Sequence, residues 1–255
     1  MINYQLFQRT ELLLGDDAIN KINSQKVIIF GIGGVGSWCA ESLIRSGIND
    51  LTIVDSDKIC ISNINRQIMA TTKTIGEIKV EALKNRLLEI NPQANITALQ
   101  MVFNKDTKDC FGLEKYDYII DSIDSLSNKI LLILEATKTN SKFFSSMGAA
   151  LKLDFTKIKV TEFWKIEGCP LAAIIRKKMR HRKTFPSKKF QCVFSPEVLE
   201  NKGNNNSNYN SSPQEEWSCQ KAQVNGTIVH TTAIFGFVLA GMIINDIVKS
   251  LNNFH

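Results

Sequence analysis

A glycine-rich run between an apolar segment and a helical segment is the feature that most constrains the fold. The run contains four glycines: Gly31, Gly33, Gly34 and Gly36. It follows the β-branched segment 26–30 and leads into residues 35–46, whose apolar positions have helical spacing. A second apolar segment, 51–54, ends at Asp55. The sequence therefore predicts a strand, a tight loop, a helix and a second strand parallel to the first.

Short apolar segments continue to alternate with helical patterns up to about residue 150. Amphipathic spacing predicts helices at residues 76–90 and 126–137. Further strands are predicted at residues 96–102, 116–120 and 142–145. This order favours the α/β class, with a doubly wound, mostly parallel, Rossmann-like sheet and a smaller C-terminal extension. The predicted domains are 1–150, a nucleotide-binding core, and 151–255, the extension.

The C-terminal extension has a less regular pattern. Residues 157–164 predict a strand from another layer, and the basic segment after it shows poor periodicity. The polar, low-complexity residues 201–214 predict a mobile surface loop. Residues 227–251 form an apolar segment, but polar groups such as Asn245 and Asp246 interrupt it. That interruption favours a buried C-terminal helix over a membrane span.

Positive charge is concentrated in one part of the chain, which has a formal net charge of +6. Residues 168–196 include no Asp or Glu and eight basic residues: Arg176, Lys177, Lys178, Arg180, Arg182, Lys183, Lys188 and Lys189. A local patch of this kind indicates a polyanionic partner, although a solvated surface is the commoner fate of charged residues.

The cysteines and the N-terminus bear on the compartment. The six cysteines include no CxxC pair, which argues against a zinc ribbon and favours reduced thiols. The N-terminus has neither a basic segment followed by an apolar run nor a cleavage site. We therefore expect a cytoplasmic protein that is not inserted in a membrane.

The glycine pattern alone would suggest NAD, but nearby charged residues favour ATP. Arg66 and Lys79 follow the second strand, and cleavage of a triphosphate needs positive charge where negative charge develops. Asp121 and Asp124 directly follow another predicted strand. A carboxylate at that end of a strand can hold Mg²⁺ against phosphate. Taken singly, a solvated Arg66 or Lys79, or Asp124 as a helix cap, is an equally good interpretation.

The full set of motifs resembles the adenylation core of the E1-like superfamily, which includes ThiF and MoeB, over about residues 5–150. The motifs are GVGSW at 34–38, Asp55 and Asp57, NRQI at 65–68, Gly76 with Lys79, and DSIDS at 121–125. Within that superfamily, the segments 9–15, 170–173 and 192–195 resemble the tRNA threonylcarbamoyladenosine dehydratases. An acid is expected in that subfamily before Pro170, where this chain has Cys169.

The resemblance implies a role for each matching residue. The four glycines would form the nucleotide loop, and Asp55 would bind the ribose. Asn63, Arg66 and Lys79 would face the phosphates, with Arg66 and Lys79 also catalytic. Asp124 would bind Mg²⁺ and assist adenylate formation. Arg9 would correspond to the arginine that superfamily members lend to the ATP site of a neighbouring subunit, which implies a homodimer.

The resemblance also implies an activity: ATP-dependent dehydration of N6-threonylcarbamoyladenosine in tRNA, by carboxylate adenylation and cyclisation. The partner would be tRNA, with the basic stretch as its binding site, and a sulfur-transfer partner protein is a further possibility. Two alternatives stay open. One is adenylation of a small ubiquitin-like sulfur-carrier protein, and the other is a non-catalytic tRNA-binding module that ATP controls. Cys219 is the best candidate for a nucleophile, but the cyclisation needs none, since the urea oxygen can attack within the same substituent.

Overall fold

The computed structural model describes residues 4–203 and 225–252. The strands are β1 (Lys26–Phe30), β2 (Asp50–Val54), β3 (Asn95–Leu99), β4 (Tyr118–Asp121), β5 (Lys142–Ser146), β6 (Lys159–Glu162) and β7 (Gln191–Phe194). The helices are α1 (Tyr4–Leu14), α2 (Asp16–Asn23), α3 (Gly36–Arg45), α4 (Lys79–Ile90), α5 (Leu126–Ala136), α6 (Pro170–Arg182) and α7 (Val229–Asn252). Cys219 and residues 204–214 of the predicted mobile loop lie outside the described residues.

The seven strands form one sheet in the order β3-β2-β1-β4-β5-β7-β6. Neighbouring strands are parallel except for β6 and β7. Helices α3, α4 and α7 contribute to the core on one face, and α5 and α6 to the core on the other. The predicted doubly wound α/β fold is confirmed. We call the edge where the parallel strands end the carboxyl edge, and the opposite one the amino edge.

The central strand β1 shows why the sequence forms this sheet. Its residues 27–30 are all fully buried, because helices cover both faces of a parallel sheet. Val27 and Ile29 point into one core, and Ile28 and Phe30 into the other. A continuous β-branched and aromatic run is the pattern that such a strand requires.

The prediction of a separate layer at residues 157–164 is wrong. β6 is the edge strand of the main sheet and lies antiparallel to β7, with Val160 opposite Val193. Val160 is 45% exposed, as expected at an uncovered edge. A four-residue segment does not encode its pairing partner, so sequence could identify the strand but not its sheet. Residues after 150 thus add two strands to the sheet that the earlier residues begin.

The basic segment predicted to have poor periodicity is mostly the regular helix α6. Pro170 occupies its first turn, where the missing N–H costs nothing. Ala172, Ile175 and Met179 recur at helical spacing and are buried against the sheet. These buried positions form a narrow apolar stripe along α6. Basic residues occupy most of the positions around it, so the helical periodicity is hard to recognise in the sequence.

Helix α4 begins at Lys79, three residues later than predicted. Gly76 has a φ of 87°, and Lys58 forms an isolated antiparallel bridge with Ile78. This bridge holds the chain extended until the helix starts. The later start places Lys79 in the first turn of α4, next to the end of β2.

The apolar C-terminal segment forms α7, which packs against α3, β5 and β7. Its large side chains Phe235, Leu239 and Ile243 are fully buried. Over residues 229–251 it is long and apolar enough to cross a membrane by those criteria alone, and half of the apolar window is buried inside the protein. The packing is that of a core helix. Its last turns are anchored by Asp246, which accepts a hydrogen bond from the Tyr118 hydroxyl at 2.9 Å.

Gly236 allows α7 to approach α3 closely. A Cβ at this position would lie 2.5 Å from the Val35 carbonyl oxygen and 2.9 Å from the Cys39 nitrogen. Both are backbone atoms, so they cannot turn away as a side chain could. A Cβ at Gly241, one and a half turns later, would meet nothing within 4 Å.

We predict opposite effects for alanine at the two glycines of α7. Gly236→Ala should lower the free energy of unfolding by about 1–3 kcal/mol, because it overpacks the contact with α3. Gly241→Ala should raise it by about 0.5–1 kcal/mol, since alanine favours the helix and meets no neighbour. Urea unfolding measures both. Equal effects would show that the close approach to α3 is unimportant.

Candidate nucleotide-binding site

The glycine loop, residues 31–36, joins β1 to α3 at the carboxyl edge of the sheet. Gly31 has a φ of 82°, and a Cβ there would lie 2.8 Å from the Ser122 carbonyl oxygen. A Cβ at Gly36 would lie 1.9 Å from the Gly31 carbonyl oxygen. Larger residues fit at neither position. These two glycines therefore allow the loop to pack closely on its own backbone and on the loop after β4, whereas a Cβ at Gly33 would meet nothing closer than 3.8 Å.

Helix α3 begins at the end of this loop. The Ser37 hydroxyl donates a hydrogen bond to the Gly33 carbonyl oxygen at 2.7 Å, which fixes the loop on the first turn. The first N–H groups of a helix have no partner inside the helix and lie at the positive end of its dipole. The loop and the helix N-terminus together form a site suited to phosphate.

Asp55, the predicted ribose ligand, ties the glycine loop to the end of β2. Its Oδ2 accepts a hydrogen bond from the Ile32 N–H at 3.0 Å, and its Oδ1 accepts one from the Asp57 N–H at 2.9 Å. Burial raises the pKa of Asp55, and Lys79 and the two N–H donors oppose that rise. The carboxyl group therefore lies beside the glycine loop, and its contact with a ribose stays a prediction.

Lys79 is held between two carboxylates. Its Nζ lies 2.8 Å from Asp57 Oδ2 and 4.0 Å from Asp55 Oδ1, and its side chain is only 7% exposed. The lysine therefore lies beside Asp55, the residue that accepts a hydrogen bond from the glycine loop, and its contact with phosphate stays a prediction. An arriving phosphate would have to take the place of Asp57 as its partner. Asp57 belongs to the quoted motif, but the sequence had not assigned it a function.

Arg66 and Asp124 are brought together next to the loop. The Arg66 Cγ would lie 3.2 Å from a Cβ at Gly34, so the arginine stem covers that glycine. Its Nη1 donates to the Ser62 carbonyl oxygen at 2.7 Å and to Asn65 Oδ1 at 2.8 Å. Burial lowers the pKa of Arg66, and the charge of Asp124 acts in the opposite direction. The two groups are thus close enough to interact electrostatically.

Asn63 has a local role in this structure. Its Oδ1 accepts a hydrogen bond from the Cys60 N–H at 3.1 Å, within the short 3-10 helix Ile61–Asn63. The contact stabilises the turn from which Arg66 projects. Contact between Asn63 and phosphate stays a prediction.

The loop that carries Asp124 rests on a buried ion pair. Lys129 Nζ lies 2.8 Å from Asp121 Oδ2, and both side chains are completely buried. Asp121 also accepts hydrogen bonds from the Ser145 hydroxyl at 2.6 Å and the Ile123 N–H at 3.0 Å. Lys129 donates to the Ile123 carbonyl oxygen at 3.0 Å. The pair therefore fixes the backbone immediately before Asp124.

Arg9 does not reach the glycine loop of its own chain. It is exposed on α1, and α1 packs at the amino edge, where Phe7 lies 4.0 Å from the position of a Cβ at Gly47. Gly47 precedes β2, whereas the glycine loop lies beyond the other end of the strands. Five-residue strands are about 16 Å long, so the two sites are on opposite edges.

Two further residues, Gln67 and Thr232, contact the loop, and a third, Trp38, contacts Arg66; none had a predicted role. Gln67 is buried beside Gly33, and its Oε1 has no hydrogen-bond partner among residues 4–203 and 225–252. Trp38 Nε1 donates to the Arg66 carbonyl oxygen at 2.9 Å, and Thr232 of α7 packs on Gly34. Trp38 and Gln67 lie in the quoted motifs, so a signal existed. Nothing in the sequence linked Thr232 to the loop.

Cys169 occupies the position where the subfamily resemblance predicts an acid. It precedes the first turn of α6 and is buried. Lys152 is close enough for the two groups to interact, and burial lowers the pKa of this lysine. Its Nζ is bonded to the Glu197 carbonyl oxygen. The lysine charge therefore interacts with a backbone oxygen, with Cys169 and with the charge of Glu197.

The arrangement can bind a nucleotide with its phosphates at the glycine loop. Asp55 is suited to a ribose, and Lys79 and Arg66 can neutralise phosphate charge. The described part of the chain has no group of three or more His, Cys, Asp or Glu residues able to hold a metal ion. A divalent cation here would share one carboxylate, Asp124, with phosphate oxygens, which is the usual mode for Mg²⁺.

The fold and site define a nucleotide-binding α/β protein of the doubly wound class. The model of the ThiF family matches residues 7–255, and the chain belongs to this family. It is similar to the tRNA threonylcarbamoyladenosine dehydratase of Bacillus subtilis, with 32% identity over 96% of this chain and 95% of the relative.

Two other comparisons bear on the activity. The structure of the E. coli tRNA N6-threonylcarbamoyladenosine dehydratase in complex with ATP matches with a TM-score of 0.83 and 30% identity, covering 98% of this chain and 96% of that one. The probable molybdopterin-synthase adenylyltransferase of Gracilaria tenuistipitata is 28% identical over only 51% of this chain and 37% of its own. Similarity to the dehydratases thus covers nearly the whole chain, and similarity to this adenylyltransferase covers about half of it.

We predict that Lys129→Met will be strongly destabilising, because it leaves the Asp121 carboxylate buried without its counter-charge. The expected loss is about 3–5 kcal/mol in the free energy of unfolding. The double variant Asp121→Leu with Lys129→Met should recover a large part of this loss. Urea unfolding of both variants is the measurement. A single variant as stable as the unmodified protein would show that the pair does not support the loop.

Proposed function

We propose that this protein catalyses the ATP-dependent dehydration of N6-threonylcarbamoyladenosine in tRNA. The threonyl carboxylate attacks the α-phosphorus of ATP, which forms an acyl adenylate and releases pyrophosphate. The urea oxygen of the same substituent then attacks the acyl carbon, the bond to AMP breaks, and the urea nitrogen loses a proton. The product is a cyclic nucleoside lighter by one water.

One observation carries this proposal: the nucleotide site is accompanied by end-to-end similarity to dehydratases. A glycine loop with Lys79 and Arg66 supports nucleotide activation in general. The match to the ATP-bound E. coli dehydratase over 98% of this chain favours threonylcarbamoyladenosine in tRNA as the substrate. Sulfur-carrier adenylation is disfavoured, since the adenylyltransferase similarity covers about half of the chain. A non-catalytic ATP-controlled tRNA-binding module would not need Lys79 and Arg66 to converge.

Each charged residue has a proposed step. Lys79 exchanges Asp57 for phosphate oxygens, and Arg66 turns from the Ser62 carbonyl towards the same group. Both then stabilise the charge that grows on the leaving pyrophosphate. Asp124 would hold Mg²⁺, which neutralises phosphate charge when bound. Asp55 orients the ribose, and the N–H groups of the glycine loop bind phosphate.

The cyclisation is intramolecular, so the chain needs to supply position rather than a nucleophile. Holding the two reacting groups of one substituent together removes most of the entropic cost of the step. Two of the cysteines support this reading, because burial raises the pKa of Cys39 and Cys192 and keeps both as unreactive thiols. No thioester with the enzyme is required.

We further propose a homodimer in which Arg9 completes the site of the partner subunit. Arg9 lies at the amino edge and is exposed, so its own glycine loop is out of reach. On the same helix, Leu12 is 81% exposed and Leu13 is 80% exposed. Exposed leucines at this density favour burial against another chain. The proposal also includes a cytoplasmic location, where tRNA is found, and a possible sulfur-transfer partner protein.

The decisive experiment combines the purified protein with ATP, Mg²⁺ and tRNA that carries threonylcarbamoyladenosine. We expect AMP, pyrophosphate and, by mass spectrometry, a nucleoside lighter by one water. The proposal fails if the nucleoside is unchanged while a small carrier protein becomes adenylated. Unchanged nucleoside with tRNA binding that depends on ATP would favour the non-catalytic module.

We predict that Asp124→Asn will lower the rate of AMP formation by about 10²-fold or more, because one preorganised electrostatic contact is removed. Asparagine keeps the size and shape of the side chain, and the N-cap of α5 is Ser125 rather than residue 124, so the melting temperature should barely change. Ser125→Ala is the matched control, since Ser125 precedes α5 without a side-chain capping bond. Normal turnover in the Asp124→Asn variant would show that the carboxylate of Asp124 takes no part in catalysis.

A further inference from the structure

Helix α6 and the turn after it carry more positive charge than their structural contacts use. Eight Lys and Arg residues lie in residues 168–196 without any Asp or Glu. Setting these eight aside from the 31 basic and 25 acidic residues leaves the rest of the chain slightly acidic. The excess of positive charge is therefore a property of this one surface.

Three of the eight basic residues have contacts within the protein. Arg176 donates to the Phe163 carbonyl oxygen at 2.9 Å and lies over the Phe163 ring. Arg180 lies over the Trp164 ring. Lys188 donates to two backbone carbonyl oxygens in the loop before β5, at 2.7 and 2.6 Å. These contacts hold α6 and its following turn rigidly on the sheet.

The other five basic residues are exposed and have no hydrogen bond or ion pair with another side chain in the described part of the chain. They are Lys177, Lys178, Arg182, Lys183 and Lys189. No acidic residue neutralises them locally, so the surface that they form has a positive potential. We call these five residues the outer basic face.

Lys183 has a backbone conformation that would suit glycine better. It ends α6 with a φ of 51° and a ψ of 37°, in the left-handed region. Helices commonly use glycine at such a position, because a Cβ is strained there. In this protein the residue at that position is a lysine, which carries a positive charge. Strain that persists in a structure is a reason to look for a function at the same residue.

The two ends of α6 lie at opposite edges of the sheet. Near its start, Gly168 lies against Pro196 and Leu171 against Gly148, just beyond the carboxyl ends of β7 and β5. Near its end, Ser187 and Lys188 bond to residues 137–141, which precede β5. Thirteen helical residues span about 20 Å. The end of α6, with Arg182 and Lys183, thus lies towards the amino edge, whereas the glycine loop lies at the carboxyl edge.

We propose that the outer basic face binds the sugar-phosphate backbone of a helical segment of the tRNA, away from the nucleoside that reacts. This inference rests on the proposed function, which makes tRNA the substrate. Lysine and arginine on a convex helix suit phosphate groups, and double-helical RNA is recognised mainly through its shape and backbone. The face would anchor the tRNA and leave the chemistry to the nucleotide site.

The first test reverses charge on the outer basic face and, as a matched control, elsewhere. The variant carries Lys177→Glu, Lys178→Glu and Arg182→Glu. The control carries Lys21→Glu, Lys105→Glu and Lys115→Glu, three exposed lysines outside this face with the same total change in charge. The affinity for tRNA is measured by fluorescence anisotropy at several salt concentrations. Turnover is measured as a function of tRNA concentration.

We expect the variant to bind tRNA at least 10-fold more weakly than the control. Each lost phosphate contact should also flatten the dependence of log affinity on log salt by about 0.7–0.9. KM for tRNA should rise while kcat at saturating tRNA stays near that of the control, because the site of chemistry is untouched. Equal affinity and equal salt slope in variant and control would overturn the proposal.

The second test uses Lys183→Gly, which removes one charge and also relieves the strained backbone. We expect tRNA binding several-fold weaker and a salt slope flatter by about one contact, with a melting temperature that is not lowered. A melting temperature preserved together with unchanged tRNA binding would overturn the role of Lys183. This variant keeps the proposal testable if the triple variant does not fold.

The two levels of inference fail in different ways. If the unmodified protein does not dehydrate threonylcarbamoyladenosine in tRNA, the proposed function fails and the tRNA surface fails with it. If the unmodified protein does so but the outer-face variant behaves like its control, only the surface fails. The tRNA then binds another part of the molecule.

Discussion

The site depends on the close contact between the glycine loop and the loop after β4. Gly31 and Ser122 approach so closely that a Cβ would lie 2.8 Å from the Ser122 carbonyl oxygen. The Ser122 hydroxyl adds hydrogen bonds to the carbonyl oxygens of Phe30 and Gly31. Underneath, the buried pair Asp121–Lys129 fixes the second loop. The proposed phosphate loop and the proposed Mg²⁺ carboxylate are thus positioned by one rigid contact between adjacent strands.

The C-terminal region completes this site rather than merely extending the chain. Thr232 of α7 packs on Gly34, and Asn65 donates to the Thr227 carbonyl oxygen at 3.1 Å. Gly236 brings the same helix against α3, whose N-terminus forms part of the loop. A substitution that displaces α7 would therefore also displace the glycine loop. This coupling is consistent with a similarity to dehydratases that covers nearly the whole chain.

Charge is used in two ways in this protein. Near the glycine loop, charged groups are few, partly or fully buried, and held by specific partners, as Lys79 is by Asp57. Burial strengthens the electrostatic interactions of such groups, but removing a charge from water also costs free energy. Each buried charge therefore needs a partner when no ligand is bound. On α6, exposed charges lack acidic neighbours and act over a longer range. The first arrangement suits the chemistry of a nucleotide, and the second suits capture of a large polyanion.

The family resemblance implied that Lys79, Arg66 and Asp124 belong to one site, and this stays a prediction. The sequence patterns alone determined the doubly wound class and the position of the glycine loop. These features depend on local patterns, since apolar periodicity and glycine spacing act over a few residues. Only the tertiary structure decided that β6 joins the main sheet, that Thr232 and Gln67 touch the loop, and that Arg9 lies at the opposite edge. It also separated the basic residues that support α6 from those that face solvent. Such outcomes depend on contacts between residues far apart in the chain, and no local pattern records which distant partner a side chain will meet.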